Sequence, residues 1–211
     1  MSPGEFIPLF EKNGFITKLD FYVWEEVCRD MRGWLDSGMR IGPVSVNISR
    51  VDFRMPDLER KIEALVDRYQ IPHELFHLEV TESAYTDNPQ HIIDTVSKLR
   101  DKGFAIEMDD FGSGYSSLNM LSELSVDILK LDMHFIQKKN LPQDKSILSF
   151  IISMSKLLEL DTIAEGVETK EQVDKLKDMG CDYVQGYYYA RPMPAAEFEN
   201  YMRKAEKKAN E

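Results

Sequence analysis

Cysteine is scarce in this chain. Cys28 and Cys181 are two in 211 residues, too few for a disulfide framework. They fit a reducing cytoplasm, and each reads as a small packed side chain rather than a nucleophile. Basic residues are outnumbered: 26 Lys and Arg face 37 Asp and Glu, a net charge of −11. A nucleic-acid polymer or an anionic membrane calls for the opposite, a basic patch. An anionic ligand of so acidic a chain needs metal ions or a local basic spot. No apolar run is long enough to span a bilayer, and no signal peptide opens the chain. The expected location is cytoplasmic, with no membrane segment and no nucleic-acid polymer as partner. There is no low-complexity segment and no internal repeat. No GxGxxG or P-loop follows any predicted strand, so a nucleotide-binding doubly wound sheet has no direct support.

What is present is alternation. The opening reads as a Ser2-Pro3-Gly4 turn and an apolar run, Phe6 to Phe10. A helix follows from Thr17, with Leu19, Val23, Val27, Met31 and Trp34 at helical spacing and Gly38 as its stop. PVSVNIS is a strand, and Asp57 to Tyr69 a helix with Leu58, Ile62, Leu65 and Tyr69 on one side. LFHLEVTES is the second strand. Pro89 starts a helix to Lys102, with Ile92, Val96 and Leu99 facing in. FAIEMDD and VDILKLD are the third and fourth strands, with a short helix or turn at Asn119 to Leu124 between them. Gln143 to Leu160 is a helix carrying Ile147, Ile151, Met154 and Leu158. DTIAEGVE is the fifth strand with its loop, Lys170 to Met179 a helix, DYVQGYYY the sixth strand and Ala195 to Lys204 a final helix. From Lys204 the chain reads as a charged tail. Six βα units mean a parallel sheet with helices outside.

The strand ends choose between an open sheet and a barrel. Asn47, Glu79, Asp109 with Asp110, Lys130, Glu165 and Gln185 fall at the C-terminal ends of the six strands in turn. In a TIM-like (β/α) barrel such ends ring one mouth, where active sites lie. Adjacent carboxylates such as Asp109 and Asp110 repel, and a divalent cation offsets that. The bland alternative is a helix N-cap made by the acids and the serines of FGSGYSSL. The ring offers hard oxygen donors and, apart from His77 inside its strand, no His or Cys. Magnesium or manganese is therefore favoured over zinc. Two metals and a positioned water suit hydrolysis of a phosphate ester, with Lys130 orienting the water or meeting developing charge. A barrel whose acids only form stabilising salt bridges is the other reading of the same residues. A magnesium-dependent barrel with Lys130 as base also explains the acids and the lysine, but not the motifs beside them.

VNIS, LEVTES, DDFGSGYSSL, ILKLD, AEGVET and QGYYYARPM, in this order, closely resemble the EAL-domain family of cyclic-di-GMP phosphodiesterases. The likeness covers essentially the whole chain, residues 1–203, with 204–211 as the tail. It implies a TIM-like (β/α) barrel of the EAL type, here incomplete with six βα units. It implies hydrolysis of cyclic di-GMP to linear pGpG with Mg2+ or Mn2+. By motif, Asn47 and Glu79 resemble ligands of a first metal, Asp109 a bridging ligand, and Asp110 and Glu165 ligands of a second. Lys130 resembles the residue that holds the attacking water. Glu82 and Glu168 match loop-ordering acids. Gln185, Arg191 and Pro192 lie in substrate-side segments. The resemblance also implies adjoining sensory or diguanylate-cyclase-like domains in a parent protein, and a sheet short of two strands leaves apolar edge surface for which a homodimer, a swapped assembly or poor solubility is expected.

Departures from the family set further expectations. Two strands that in the family precede the segment matching Phe6-Ile7-Pro8, one carrying the Glu-Ala-Leu glutamate, have no counterpart here. The expectations are two exposed sheet edges, a first metal short of one ligand, and an impaired enzyme; the alternative is a non-catalytic cyclic-di-GMP receptor or interaction module. Ser113 stands where the family usually has Thr, and Met133-His134 where Arg-Ser is more usual.

Overall fold

The computed structural model describes residues 3–111, 118–131 and 144–209. Ser113, Met133 and His134 lie outside the described residues, as does most of the FGSGYSS turn. Six strands, β1 (Val44–Ile48), β2 (Phe76–Thr81), β3 (Ile106–Phe111), β4 (Ile128–Leu131), β5 (Asp161–Ala164) and β6 (Tyr183–Val184), form one parallel sheet in chain order. The helices are α1 (Pro3–Asn13), α2 (Ile16–Asp36), α3 (Leu58–Arg68), α4 (Glu82–Asp87), α5 (Pro89–Asp101), α6 (Leu118–Glu123), α7 (Asp144–Leu157), α8 (Lys170–Met179) and α9 (Ala195–Ala209). This is the expected α/β, TIM-like arrangement. Among the described residues it is not closed: β1 and β6 are the edges.

Burial follows position in the sheet. β2 and β4 are buried along almost their whole length, as central parallel strands are. β1 alternates: Val46 and Ile48 pack against the helices, while Ser45 and Asn47 face the open side. Val46, Leu78, Ile106, Met108 and Leu129 from the sheet join Trp24, Ile62, Val96 and Ile152 from the helices in one core.

Several elements differ from the reading of the sequence, each for a local reason. The opening is a helix, not a turn. Pro3 sits in its first turn, where a missing N–H costs nothing, and the Phe6 and Phe10 rings meet at 5.5 Å. In α2 the buried side is Ile16, Trp24, Cys28 and Met31, while Val23 is exposed. In α7 it is Leu148, Ile151, Ile152 and Ser155, while Ile147 and, just past the helix end, Leu158 are exposed. Both helices carry apolar residues nearly all round, so periodicity admits neighbouring faces and only the sheet chooses. β6 stops at Val184, because Tyr189 N–H bonds back to Gly186 O at 3.1 Å and the tyrosines turn away. At the other end α9 runs past Lys204 to Ala209, and Glu206 accepts the Arg40 N–H at 3.0 Å. Burial pushes the Cys28 thiol up to about 12 and raises that of Cys181, so both stay protonated, as packed side chains do.

One clasp ties α2 to the turn after β1. Asp52 is fully buried and accepts the Ser49 N–H at 2.9 Å. Asp20 of α2 bonds to it, and burial, then the Asp52 bond and charge, raise the Asp20 pKa from 3.8 to about 8. Asp20 Oδ2 and Asp52 Oδ1 have no other donor, and one shared proton satisfies both. The native chain therefore keeps a proton that the unfolded chain loses above pH ~4. Its stabilising contribution is whole below about pH 4, falls as pH rises, and is gone past about pH 8. Asp20→Asn, which stays neutral, is expected to raise stability by roughly 2 kcal/mol at pH 8 and by nothing at pH 4. Urea denaturation at the two pH values checks this. An equal change at both would show that no proton is held there.

Candidate active site

Parallel register builds the site in two layers. In the upper layer Asn47 of β1 pairs with Glu79 of β2, and Thr81 pairs with Asp109 of β3. Lys130 of β4 enters beside them, and Glu165 follows β5, held by its N–H to Leu131 O at 3.1 Å. The Lys130 ammonium, in a residue only 4% exposed, is the meeting point. It lies 2.7 Å from Glu79 Oε1, 3.0 Å from Glu165 Oε1 and 3.3 Å from Asp109 Oδ1. Carboxylates from three different strand ends thus converge on one cation, which residues strung along a flat edge could not do.

The charges do not balance. Burial raises the pKa of Glu79 and of Glu165, against the pull of Lys130. Burial works to lower the Lys130 pKa, yet Glu79, Asp109 and Glu165 together raise it. One cation shared by three anions gives these signs. Asp110 adds to the excess: its charge also raises Glu165. At Asp110 the ladder slips between Met108 and Phe111, the backbone takes φ 56°, and its N–H bonds Asp109 Oδ1 at 2.9 Å. Among the described residues no three His, Cys, Asp or Glu stand ready to hold a metal ion; the acids are drawn to Lys130 instead. The donor set itself, oxygen-only and short of positive charge, suits a hard divalent cation.

The remaining predicted residues are placed around this centre. Glu82 is the buried first residue of α4. Glu168 precedes α8, and its N–H bonds Gln172 Oε1 at 2.7 Å. Gln185 is exposed, with its backbone joined to Ala164 and Val167. Arg191 lies over the Tyr187 ring at 4.5 Å, and Pro192 is exposed beside it. These contacts of Glu168, Gln185 and Arg191 do not involve Lys130.

Two supports were not evident from sequence. Trp24 Nε1–H donates to Asn47 O at 2.9 Å, fixing β1 from the helix side. Below the acids, Ser45 Oγ donates to Glu107 Oε1 at 2.8 Å, and His77 Nδ1 meets the same oxygen at 2.7 Å. The period-two spacing Ser45/Asn47, His77/Glu79 and Glu107/Asp109 was the available signal.

Fold and site together define an α/β protein of TIM-like type with an acid-lined mouth at its strand ends. The chain belongs to the EAL domain family, whose sequence model matches residues 1–192. It is 37% identical over 196 residues to the bifunctional diguanylate cyclase/cyclic di-GMP phosphodiesterase MucR of Pseudomonas aeruginosa, covering 92% of this chain and 29% of MucR. It is 37% identical over 204 residues to the cyclic di-GMP phosphodiesterase NbdA of the same organism, covering 96% of this chain and 26% of NbdA. The solved MucR phosphodiesterase in complex with c-di-GMP superposes with a TM-score of 0.88 at 37% identity, covering 94% of this chain and 81% of that one. The chain spans about a quarter of the length of these two relatives. No helix among the described residues is long and apolar enough to cross a membrane.

Proposed function

We propose that this chain is a cyclic-di-GMP phosphodiesterase domain that hydrolyses the cyclic dinucleotide to linear pGpG with Mg2+ or Mn2+. The convergence of Glu79, Asp109 and Glu165 on the buried Lys130 carries the reading. Asn47, Glu79, Asp109, Asp110 and Glu165 would hold the metal ions, which when bound supply Lewis acidity toward the phosphoryl oxygens. The chain's own residues do the rest. Lys130 orients the attacking water and offsets charge developing on the phosphate. Glu82 and Glu168 order the loops at the mouth. Gln185, Arg191 and Pro192 face the dinucleotide. Membership of the family and the names of the relatives support the substrate.

The open side of the sheet supports slow turnover by this chain taken alone. Asn47 is exposed on an edge strand, so the ligand it offers is not walled in. Misplacement of such a group costs on the order of a hundredfold in rate. A receptor that binds without cleaving is the second reading, favoured by the open edge on which Asn47 stands. Calorimetry and turnover on Asp109→Asn test both. The phosphodiesterase reading expects binding in Mg2+ or Mn2+ to weaken and pGpG formation to vanish. Unchanged binding in metal would show that Asp109 is not a ligand. Binding with no turnover, in this chain and in one extended upstream of residue 1, would select the receptor.

A further inference from the structure

One buried carboxylate beside the acid cluster turns away from it. Glu107 of β3 stands in register with Glu79 of β2, which stands in register with Asn47 of β1. The Glu79 carboxylate turns to Lys130 at 2.7 Å. The Glu107 carboxylate turns the other way, where its Oε1 accepts from Ser45 Oγ at 2.8 Å and meets His77 Nδ1 at 2.7 Å. Glu107 is 1% exposed, and its Oε2 is buried with no hydrogen-bond partner among the described residues. Leaving a buried oxygen bare costs the fold stability, so this glutamate is not accounted for by packing.

Its Oε1 ties three consecutive strands together. Ser45 belongs to β1, His77 to β2 and Glu107 to β3. Strands two apart in a sheet lie about 10 Å from each other, and the Ser45–Glu107 bond closes that gap over β2. The other ring nitrogen of His77, Nε2, lies 3.2 Å from Glu74 O, so the imidazole is held at both ends. Side chains alternate along a strand, so Ser45 shares a face with Asn47, and His77 with Glu79. A grip on the first of each pair is a grip on the second. It matters most at β1, an edge strand that pairs with β2 alone among the described residues. Trp24 holds Asn47 from the helix side, and Glu107 holds the same strand from the opposite face.

We propose that Glu107 is a positioning residue of the metal centre: through Ser45 and His77 it fixes where Asn47 and Glu79 stand, and so sets how tightly the centre takes a divalent cation. The inference rests on the reading of Asn47 and Glu79 as metal ligands. Glu107 acts through the two strands rather than by touching the ion. A small hard cation demands its oxygen donors at set distances, and groups that orient ligands are worth about 10–100-fold in metal affinity. In a closed barrel each strand is fixed by neighbours on both sides. β1 has one such neighbour among the described residues, and the bond from Ser45 to Glu107 supplies a second restraint.

The test is Mn2+ binding to the full chain, read by paramagnetic resonance of the free ion, with Tm measured beside it. Glu107→Leu keeps the bulk but removes the acceptor, and should weaken Mn2+ binding by about tenfold or more. Glu107→Gln keeps an acceptor oxygen for Ser45 and His77, and should recover most of that affinity. Ser45→Ala trims an exposed residue, and should weaken binding by about threefold, the worth of one hydrogen bond, with Tm near that of the parent. It carries the test if Glu107→Leu does not fold. A purely structural role would lower Tm in Glu107→Leu and leave the Mn2+ affinity of the folded chain as it was. Parent-like affinity in Ser45→Ala would overturn the proposal. So would an equal loss in Glu107→Gln and Glu107→Leu, because charge rather than the bonds would then be at work. A parent chain that binds no Mn2+, or that loses none in Asp109→Asn, would bring down the ligand reading and this proposal with it.

Discussion

Lys130→Met is expected to destabilise the chain by about 3–5 kcal/mol in metal-free buffer, the cost of breaking a buried ion pair by removing one partner. Methionine fills the volume, so the loss is electrostatic rather than a cavity. Glu79, Asp109 and Glu165 would be left crowded with no cation, and burial already disfavours their charged forms at Glu79 and Glu165. Mg2+ or Mn2+ should restore much of the lost stability, since either ion replaces the missing positive charge among oxygen donors. Turnover should not return, falling by roughly 10²–10³-fold as for removal of one preorganised charge-stabilising donor. Thermal denaturation with and without metal, beside a pGpG assay on the upstream-extended chain, reads both. Recovery of turnover with metal would reduce Lys130 to a counter-ion. A Tm indifferent to metal would mean that the acids do not bind it.

Gly186→Ala is expected to cost about 3 kcal/mol, as overpacking against an unyielding neighbour does. A Cβ at Gly186 would lie 2.2 Å from Val167 O and 2.3 Å from Val167 N. Both are backbone atoms, and Val167 is fully buried, so neither can swing aside. The contact locks the Gln185–Tyr189 turn onto the loop after Glu165: Val167 N–H bonds Gln185 O at 3.1 Å, and Tyr188 N–H bonds Val167 O at 3.0 Å. Forcing them apart should lower Tm by roughly 10 °C for a domain of this size and should weaken dinucleotide binding through displaced Gln185. A Tm within 2–3 °C of the parent, about 1 kcal/mol, would show that the turn is not locked.

Periodicity placed the helices well and their buried faces less well. α3 and α5 carry apolar residues on one side only, and Leu58, Ile62, Leu65, Ile92, Val96 and Leu99 are buried as expected. α2 and α7 offer apolar residues on several faces, so the choice fell to the sheet. Trp24 was passed over for that reason, although it holds Asn47 from behind. The helix at Pro3–Asn13 was hidden by Pro3 and Gly4, which mark turns as readily as helix starts.

The sequence by itself determined the alternation of strand and helix, the family, and which side chains stand at the strand ends. These are local properties: hydrophobic period, turn residues and ordered motifs all act within a few residues. Tertiary structure alone decided how those ends meet. It drew Glu79, Asp109 and Glu165, residues 86 positions apart at the extremes, onto one buried ammonium, and turned Asp110 aside at a slipped register. Charge at a point depends on which segments the sheet brings side by side, and no window along the chain contains that.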